Sequence, residues 1–215
     1  MAKKVKTNIY VIRHGECAGN KEGRVRGRTD FPLNENGLLQ AQALAGAMKT
    51  KDLDRVFTSP LLRARQTAEA LADACGVPCE ACEGFINICM GPWENRKKTD
   101  IAVEYPTEWQ TWLADPEALR LPGAETIEDV RVRATAALNR IAEQYRGKRV
   151  AVVTHRGVLK PLLAGALGLD HGYWKLHADT ASYSLLTYDA VHGWCLMGLN
   201  DTHHLEGLPL VQEFD

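Results

Sequence analysis

Two short runs of mostly β-branched residues lie near opposite ends of the chain, 8–13 (N-I-Y-V-I-R) and 149–154 (R-V-A-V-V-T), and each leads directly into a histidine. Apolar runs of this length without polar alternation are how strands covered on both faces read, and such strands belong to parallel sheets. The intervening chain supplies the covering helices. Asn34-Glu35-Asn36-Gly37 opens an alanine- and leucine-rich run to Met48 that reads as a helix. Residues 55–58 read as another short strand, followed by Ser59-Pro60, with serine as N-cap and proline in the first turn of a helix reaching about Ala74. Residues 77–89 read as extended or irregular, and 97–120 as short helices punctuated by Pro106 and Pro116. Pro122-Gly123 prepares a long amphipathic helix over 125–145, another helix runs from His155-Arg156-Gly157 to about Leu167, and 182–189 and 193–199 read as closing strands. This alternation predicts a three-layer α/β sandwich: a mainly parallel sheet, helices on both faces, and a small helical insertion around 85–120. No repeat, low-complexity tract or linker interrupts the 215 residues, so one domain over 1–215 is expected.

Charge and cysteine usage narrow the function. Lys and Arg number 26 against 27 Asp and Glu, which argues against nucleic acid as the main partner, although local basic clusters exist. No stretch reaches the roughly 18 apolar residues that would cross a membrane. Residues 1–7 run directly into a strand-like segment, without the apolar core or small-residue cleavage site of a secretory signal, so the expectation is a soluble, cytoplasmic protein. Of the six cysteines, Cys75, Cys79 and Cys82 cluster, but a structural zinc site would need a second matched ligand pair. Adjacent His203 and His204 suit that poorly, and reduced thiols without metal are expected.

The chemistry gathers where strands end. In open α/β sheets ligands bind beyond the carboxyl ends of strands. Two such ends carry histidine beside arginine, Arg13-His14-Gly15-Glu16 and Thr154-His155-Arg156-Gly157, and a third leads through Ser59-Pro60 to Arg63. Arginine matches phosphate oxygens with a fixed fork of donors, and histidine serves as a neutral nucleophile or a charged donor. One strand-end histidine alone reads as an ordinary hydrogen-bonded residue; two, with arginines, point to a phosphoryl site.

These segments resemble the histidine phosphatase superfamily, the group similar to phosphoglycerate mutase. Besides Arg13-His14-Gly15-Glu16, the loop 27–37, the segment 58–68 with Arg63, Gly91-Pro92-Trp93-Glu94, Pro122-Gly123-Ala124-Glu125-Thr126 and Thr154-His155-Arg156-Gly157 follow the family order over about 190 residues. The segments 181–184 and 199–205 look most like its small-molecule phosphatase branch. The resemblance implies His14 as a nucleophile forming a phosphohistidine that water hydrolyses, with Arg13, Arg63 and His155 binding the phosphoryl oxygens. It also implies Asn20 as a phosphate contact, a small phosphorylated metabolite as partner, and no metal or cofactor. Arg26, where relatives often have glutamine before the glycine of Gly27, reads either as a contact to a second anionic group or as a solvated loop residue. The oligomeric state is open, a homodimer included.

Asn87 departs from the pattern. The family places a carboxylic acid four residues before the G-x-W glycine, where it protonates the leaving oxygen, and here that position holds a carboxamide. Losing a general acid costs about 10²–10⁴-fold. Three readings stand: a slow phosphatase, or one in which Glu83 or Glu94 supplies the proton; a silent phospho-ligand binder; or an engineered Asp→Asn change. A mutase remains the alternative from the same chemistry. Met90 is expected to leave one pocket wall apolar, Glu94 and the pair Trp109 and Trp112 to be structural, Arg96, Lys97 and Lys98 to form a solvated face, and His203 or His204 to shape the rim.

Overall fold

The computed structural model describes residues 6–209, so residues 1–5 of the segment 1–7, on which the absence of a leader was read, lie outside it. In chain order the elements are β1 (Thr7–Arg13), α1 (Ala18–Lys21), β2 (Arg24–Val25), α2 (Glu35–Met48), β3 (Arg55–Thr58), α3 (Leu62–Cys75), β4 (Cys79–Ala81), β5 (Arg96–Lys97), α4 (Lys98–Glu104), α5 (Pro106–Ala114), α6 (Ile127–Gln144), β6 (Arg149–Thr154), α7 (Arg156–Leu167), β7 (Tyr183–Asp189) and β8 (Gly193–Asp201). Six strands form one sheet in the order β4-β3-β6-β1-β7-β8. The first four run parallel, and β7 and β8 close the sheet as an antiparallel hairpin.

The twofold period of the strands divides the core. Ile9, Val11, Val150 and Val152 face α6 and α7, packing with Leu138, Ile141, Leu159 and Leu162. Their alternate neighbours Tyr10, Ile12, Ala151 and Val153 face α2 and α3, packing with Leu44, Met48, Ala68 and Leu71. Each central strand is therefore apolar on both faces, which is why its sequence shows no polar alternation. The expected three layers are present, and α4, α5 and the turn after them form the helical insertion. Among the described residues no helix is long and apolar enough to cross a membrane.

One boundary differs from the sequence reading. Helix α3 begins at Leu62, not at Pro60 behind a Ser59 cap, and Leu61 stands at its N-cap without a side-chain bond. Asp30 caps it from another loop, Oδ1 accepting from the Leu62 N–H at 2.7 Å, while the Ser59 hydroxyl lies 2.7 Å from His155 Nε2. The Ser59 hydroxyl also accepts from the Leu61 N–H at 3.3 Å, in the turn before the helix rather than at its cap. The long helix α6 begins at Ile127 behind a Thr126–Asp129 capping box, which leaves Glu125 for other bonds.

Candidate active site

Register alone brings the two histidines together. Arg13 pairs with Thr154 across β1 and β6, so the next residues, His14 and His155, emerge side by side at the carboxyl edge, with ring centroids 5.0 Å apart. Thr58 pairs with Val153, which sets Ser59 beside them. The loop after β1 is fixed by close backbone approach: a Cβ on Gly15 would stand 2.6 Å from the Gly37 carbonyl oxygen. Glu16 is buried and accepts from Asn34 Nδ2 at 2.6 Å and Asn36 Nδ2 at 3.2 Å, so the last residue of the R-H-G-E tetrad clamps the start of α2 rather than facing a ligand.

Arg13, His14, Arg63 and His155 are each at most 2% exposed. His14 Nδ1 lies 2.6 Å from the Gly15 carbonyl. A carbonyl only accepts, so this bond puts the proton on Nδ1 and the lone pair on Nε2. Burial first, then the charges of Arg63 and Arg13, hold the His14 imidazole well below its ordinary value, and burial followed by Arg63 does the same to His155. Arg13 donates to the Ala178 carbonyl at 2.7 Å. Arg63 donates to the carbonyls of Thr29 at 2.8 Å and Gly27 at 3.0 Å, and burial brings its pKa down to about 10. Both guanidiniums are thus held by backbone oxygens, which leaves their charges in place.

Asn87 is buried at the edge of this cluster. Its Nδ2 donates to the Gly27 carbonyl at 2.8 Å, while Oδ1 has no hydrogen-bond partner among the described residues. Gly27 has φ +49°, and a Cβ there would collide with Glu94 Oε1. Glu94 itself accepts from the Arg28 N–H at 3.0 Å and the Met90 N–H at 3.1 Å, a structural latch as expected. A hollow opens beside Asn87, walled by Ile88, Met90, Trp112 and Tyr173 and edged by Arg26, Lys98 and Arg156. No carboxylate lines it; Glu83 is exposed elsewhere and Glu94 is engaged in its latch. Asn20 lies outside the lining; its Oδ1 accepts from Cys17 N at 3.0 Å and caps α1.

Several placements refine the sequence reading. Arg26 edges the hollow and its charge reaches both histidines. Lys98 edges it too, whereas a solvated face was expected, because the β2–β5 pairing folds the start of α4 over the opening. Trp112 is both core anchor and wall. His204 lies against the Ala181 carbonyl and Tyr183, and His203 is exposed. Ser59 and Arg156 were read at strand ends without a role of their own, and Tyr173 was not read as part of the site at all.

A model of the histidine phosphatase superfamily (branch 1) matches residues 9–202. The "Probable phosphoglycerate mutase GpmB" of Yersinia pestis (strain Pestoides F) is 31% identical over 211 residues, covering 95% of this chain and 97% of that protein. Among solved structures, YhfR of Bacillus stearothermophilus superposes with a TM-score of 0.88 at 28% identity, covering 93% of this chain and 99% of that one. A mutant phosphoserine phosphatase from Entamoeba histolytica in complex with phosphoserine reaches 0.82 at 26% identity, again over 93% and 99%. Sequence, fold and the paired strand-end histidines agree: this chain belongs to the histidine phosphatase superfamily.

Proposed function

We propose that the chain hydrolyses a small phosphate monoester in two steps through a phosphohistidine on His14. The observation that carries this reading is the His14 ring itself: neutral, its Nδ1 bound to the Gly15 carbonyl, and set between Arg13, Arg63 and His155. In the first step Nε2 forms a bond to phosphorus as the ester P–O bond breaks. The two arginines meet the charge on the phosphoryl oxygens, and a preorganised pair of buried cations needs no rearrangement to do so. In the second step water attacks phosphorus, the N–P bond breaks, orthophosphate leaves and the His14 lone pair returns. His155, bridged to the Ser59 hydroxyl, is the further donor to the phosphoryl group.

Proton supply to the leaving oxygen is the weak point. Asn87 has no proton to give, so the leaving alkoxide takes its proton from solvent, and rates depend steeply on leaving-group acidity. The phosphoserine complex of one structural relative supports a small phosphorylated metabolite as substrate. The mutase name of the GpmB relative supports a second reading, in which the phosphoryl group returns to another position of the same substrate. Free phosphate distinguishes hydrolysis from that transfer.

The test is phosphate release from aryl phosphates of graded leaving-group acidity, with the chain as it stands and with Asn87→Asp. Turnover of the most activated ester is expected from both. For poor leaving groups Asn87→Asp gains about 10²–10⁴-fold. A carboxyl at 87 would face the Gly27 carbonyl that now accepts from Asn87 Nδ2, an arrangement that favours the protonated acid. His14→Ala, folded but silent, is the control. Turnover by His14→Ala, or silence of the folded parent toward the most activated ester, would sink the phosphohistidine reading.

A further inference from the structure

The two strand-end histidines are bound through different ring nitrogens. His14 is held at Nδ1 by the Gly15 carbonyl, which keeps its lone pair on Nε2. His155 is held at Nε2, 2.7 Å from the Ser59 hydroxyl, and its Nδ1 is buried with no hydrogen-bond partner among the described residues. Strand β6 runs between β3 and β1. Ser59 follows β3 and His14 follows β1, so the His155 nitrogen turned away from Ser59 is turned toward the side of His14.

A contact between an imidazole nitrogen and a hydroxyl can run in either direction, and a neutral imidazole has one proton to place. Burial, then the charge of Arg63, keeps His155 neutral. Ser59 is fully buried, and its oxygen already accepts from the Leu61 N–H at 3.3 Å. The acceptor that its own proton meets is Nε2 of His155. Were Nε2–H the donor instead, the Ser59 proton and the Nδ1 lone pair would both be buried unpaired, one group more than in the reverse arrangement. The hydroxyl therefore donates to Nε2, and the His155 proton sits on Nδ1. Both histidines then carry Nδ1–H, but with opposite ends tied: His14 keeps a lone pair for attack, His155 a proton to donate.

We propose that Ser59 is a positioning residue for the reaction: by donating to Nε2 it holds His155 in the tautomer whose Nδ1–H meets a phosphoryl oxygen. The other tautomer would set a lone pair against that oxygen. The role rests on the phosphatase reading above, and no covalent bond to Ser59 forms or breaks in it.

The experiment reads tautomer and rate separately, on the full chain. In ¹⁵N-labelled protein near neutral pH, long-range ¹H–¹⁵N correlation shows which ring nitrogen of His155 is protonated, its signals being those absent from His155→Asn. The proton is expected on Nδ1 in the parent and spread over both nitrogens in Ser59→Ala. There kcat for an aryl phosphate should fall about 10-fold, the worth of one neutral hydrogen bond. Ser59→Thr keeps a hydroxyl and should restore both readings. Ser59→Cys, whose thiol is a weak donor, takes the place of Ser59→Ala should that variant not fold. With aryl phosphate turned over, three results overturn the role of Ser59 alone: a parent proton on Nε2, a tautomer unmoved by loss of the hydroxyl whatever the rate, or a moved tautomer with unchanged kcat. Silence of the folded parent toward the aryl phosphate overturns the phosphatase reading and the positioning role with it.

Discussion

At the carboxyl ends of β1, β3 and β6, backbone oxygens hold the reactive groups: Arg13 by Ala178, Arg63 by Thr29 and Gly27, His14 by Gly15. Across the hollow the insertion is held by rings. Trp93 is fully buried, with the rings of Tyr105, Trp109 and Trp112 at 6.4, 5.8 and 6.5 Å, and Trp112 continues to Tyr173 at 5.3 Å. Hydrogen bonds to backbone fix direction as well as distance, which suits charges that must meet a transition state. Aromatic contacts fix volume but tolerate rotation, which suits a wall facing substrates of varied shape. On the proposed function, the comparison separates chemistry from recognition: the sheet would hold the one and the insertion, with the turn after α7, the other.

The largest expected effect tests that separation from the recognition side. Trp93→Ala removes the hub of the ring cluster and should cost about 3–5 kcal/mol of stability, measured by urea denaturation. Aryl phosphate turnover per folded molecule should persist, since Trp93 does not line the hollow. Loss of chemistry in molecules that remain folded would mean the two regions form one unit. Arg63→Met makes the opposite cut. Methionine fills similar volume, and the Gly27 carbonyl keeps its bond from Asn87, so the fold should survive while kcat falls about 10²–10³-fold. A fall in stability with unchanged kcat would reassign Arg63 to the scaffold.

The same division explains what could be read from the chain alone. Layers, strand ends and the residues His14, Arg13, Arg63 and His155 were legible because buried strands leave apolar runs and the family motifs sit at their ends. Arg63 lies buried beside the strand ends although its helix starts later than the sequence suggests, since the cap comes from Asp30, 32 residues earlier, by a loop contact that local propensity cannot reveal. Lys98 and Arg156 were harder. A cation beside a pocket and a cation in solvent have the same local sequence, and only the β2–β5 pairing and the helical phase of α7 turn these two inward. Asn87 was legible as a departure from the family pattern, but its bond to the Gly27 carbonyl was not.

Gly27 joins the two regions, and its substitution should cost less than the first two. Its carbonyl accepts from Arg63 and Asn87, while its Cα faces Glu94, the latch that holds Met90 in the wall. Gly27→Ala brings a Cβ into a left-handed backbone and against Glu94 Oε1, a cost of about 1–3 kcal/mol. Because both sides shift, KM and kcat should worsen together, in contrast to either single-region variant. A change confined to one constant would show that the loop gives way on one side only.

The smallest effect concerns the price of keeping both histidines neutral. Burial lowers His14 and His155 in the folded chain, whereas unfolded histidines titrate near 6.5. Below about pH 6.5 the unfolded chain therefore binds protons that the folded chain does not. Stability should fall as pH drops from 6.5 toward the lowered folded values, and level off above about 7. Replacing both with asparagine removes the two groups from the linkage. The urea midpoint of His14→Asn/His155→Asn should then decline less steeply between pH 7 and 5.5 than that of the parent. His204, also lowered chiefly by burial, remains in both proteins and cancels in the comparison. Parallel declines would mean that the strand-end pair takes up protons in the folded state, and a neutral His14 nucleophile would lose its physical basis.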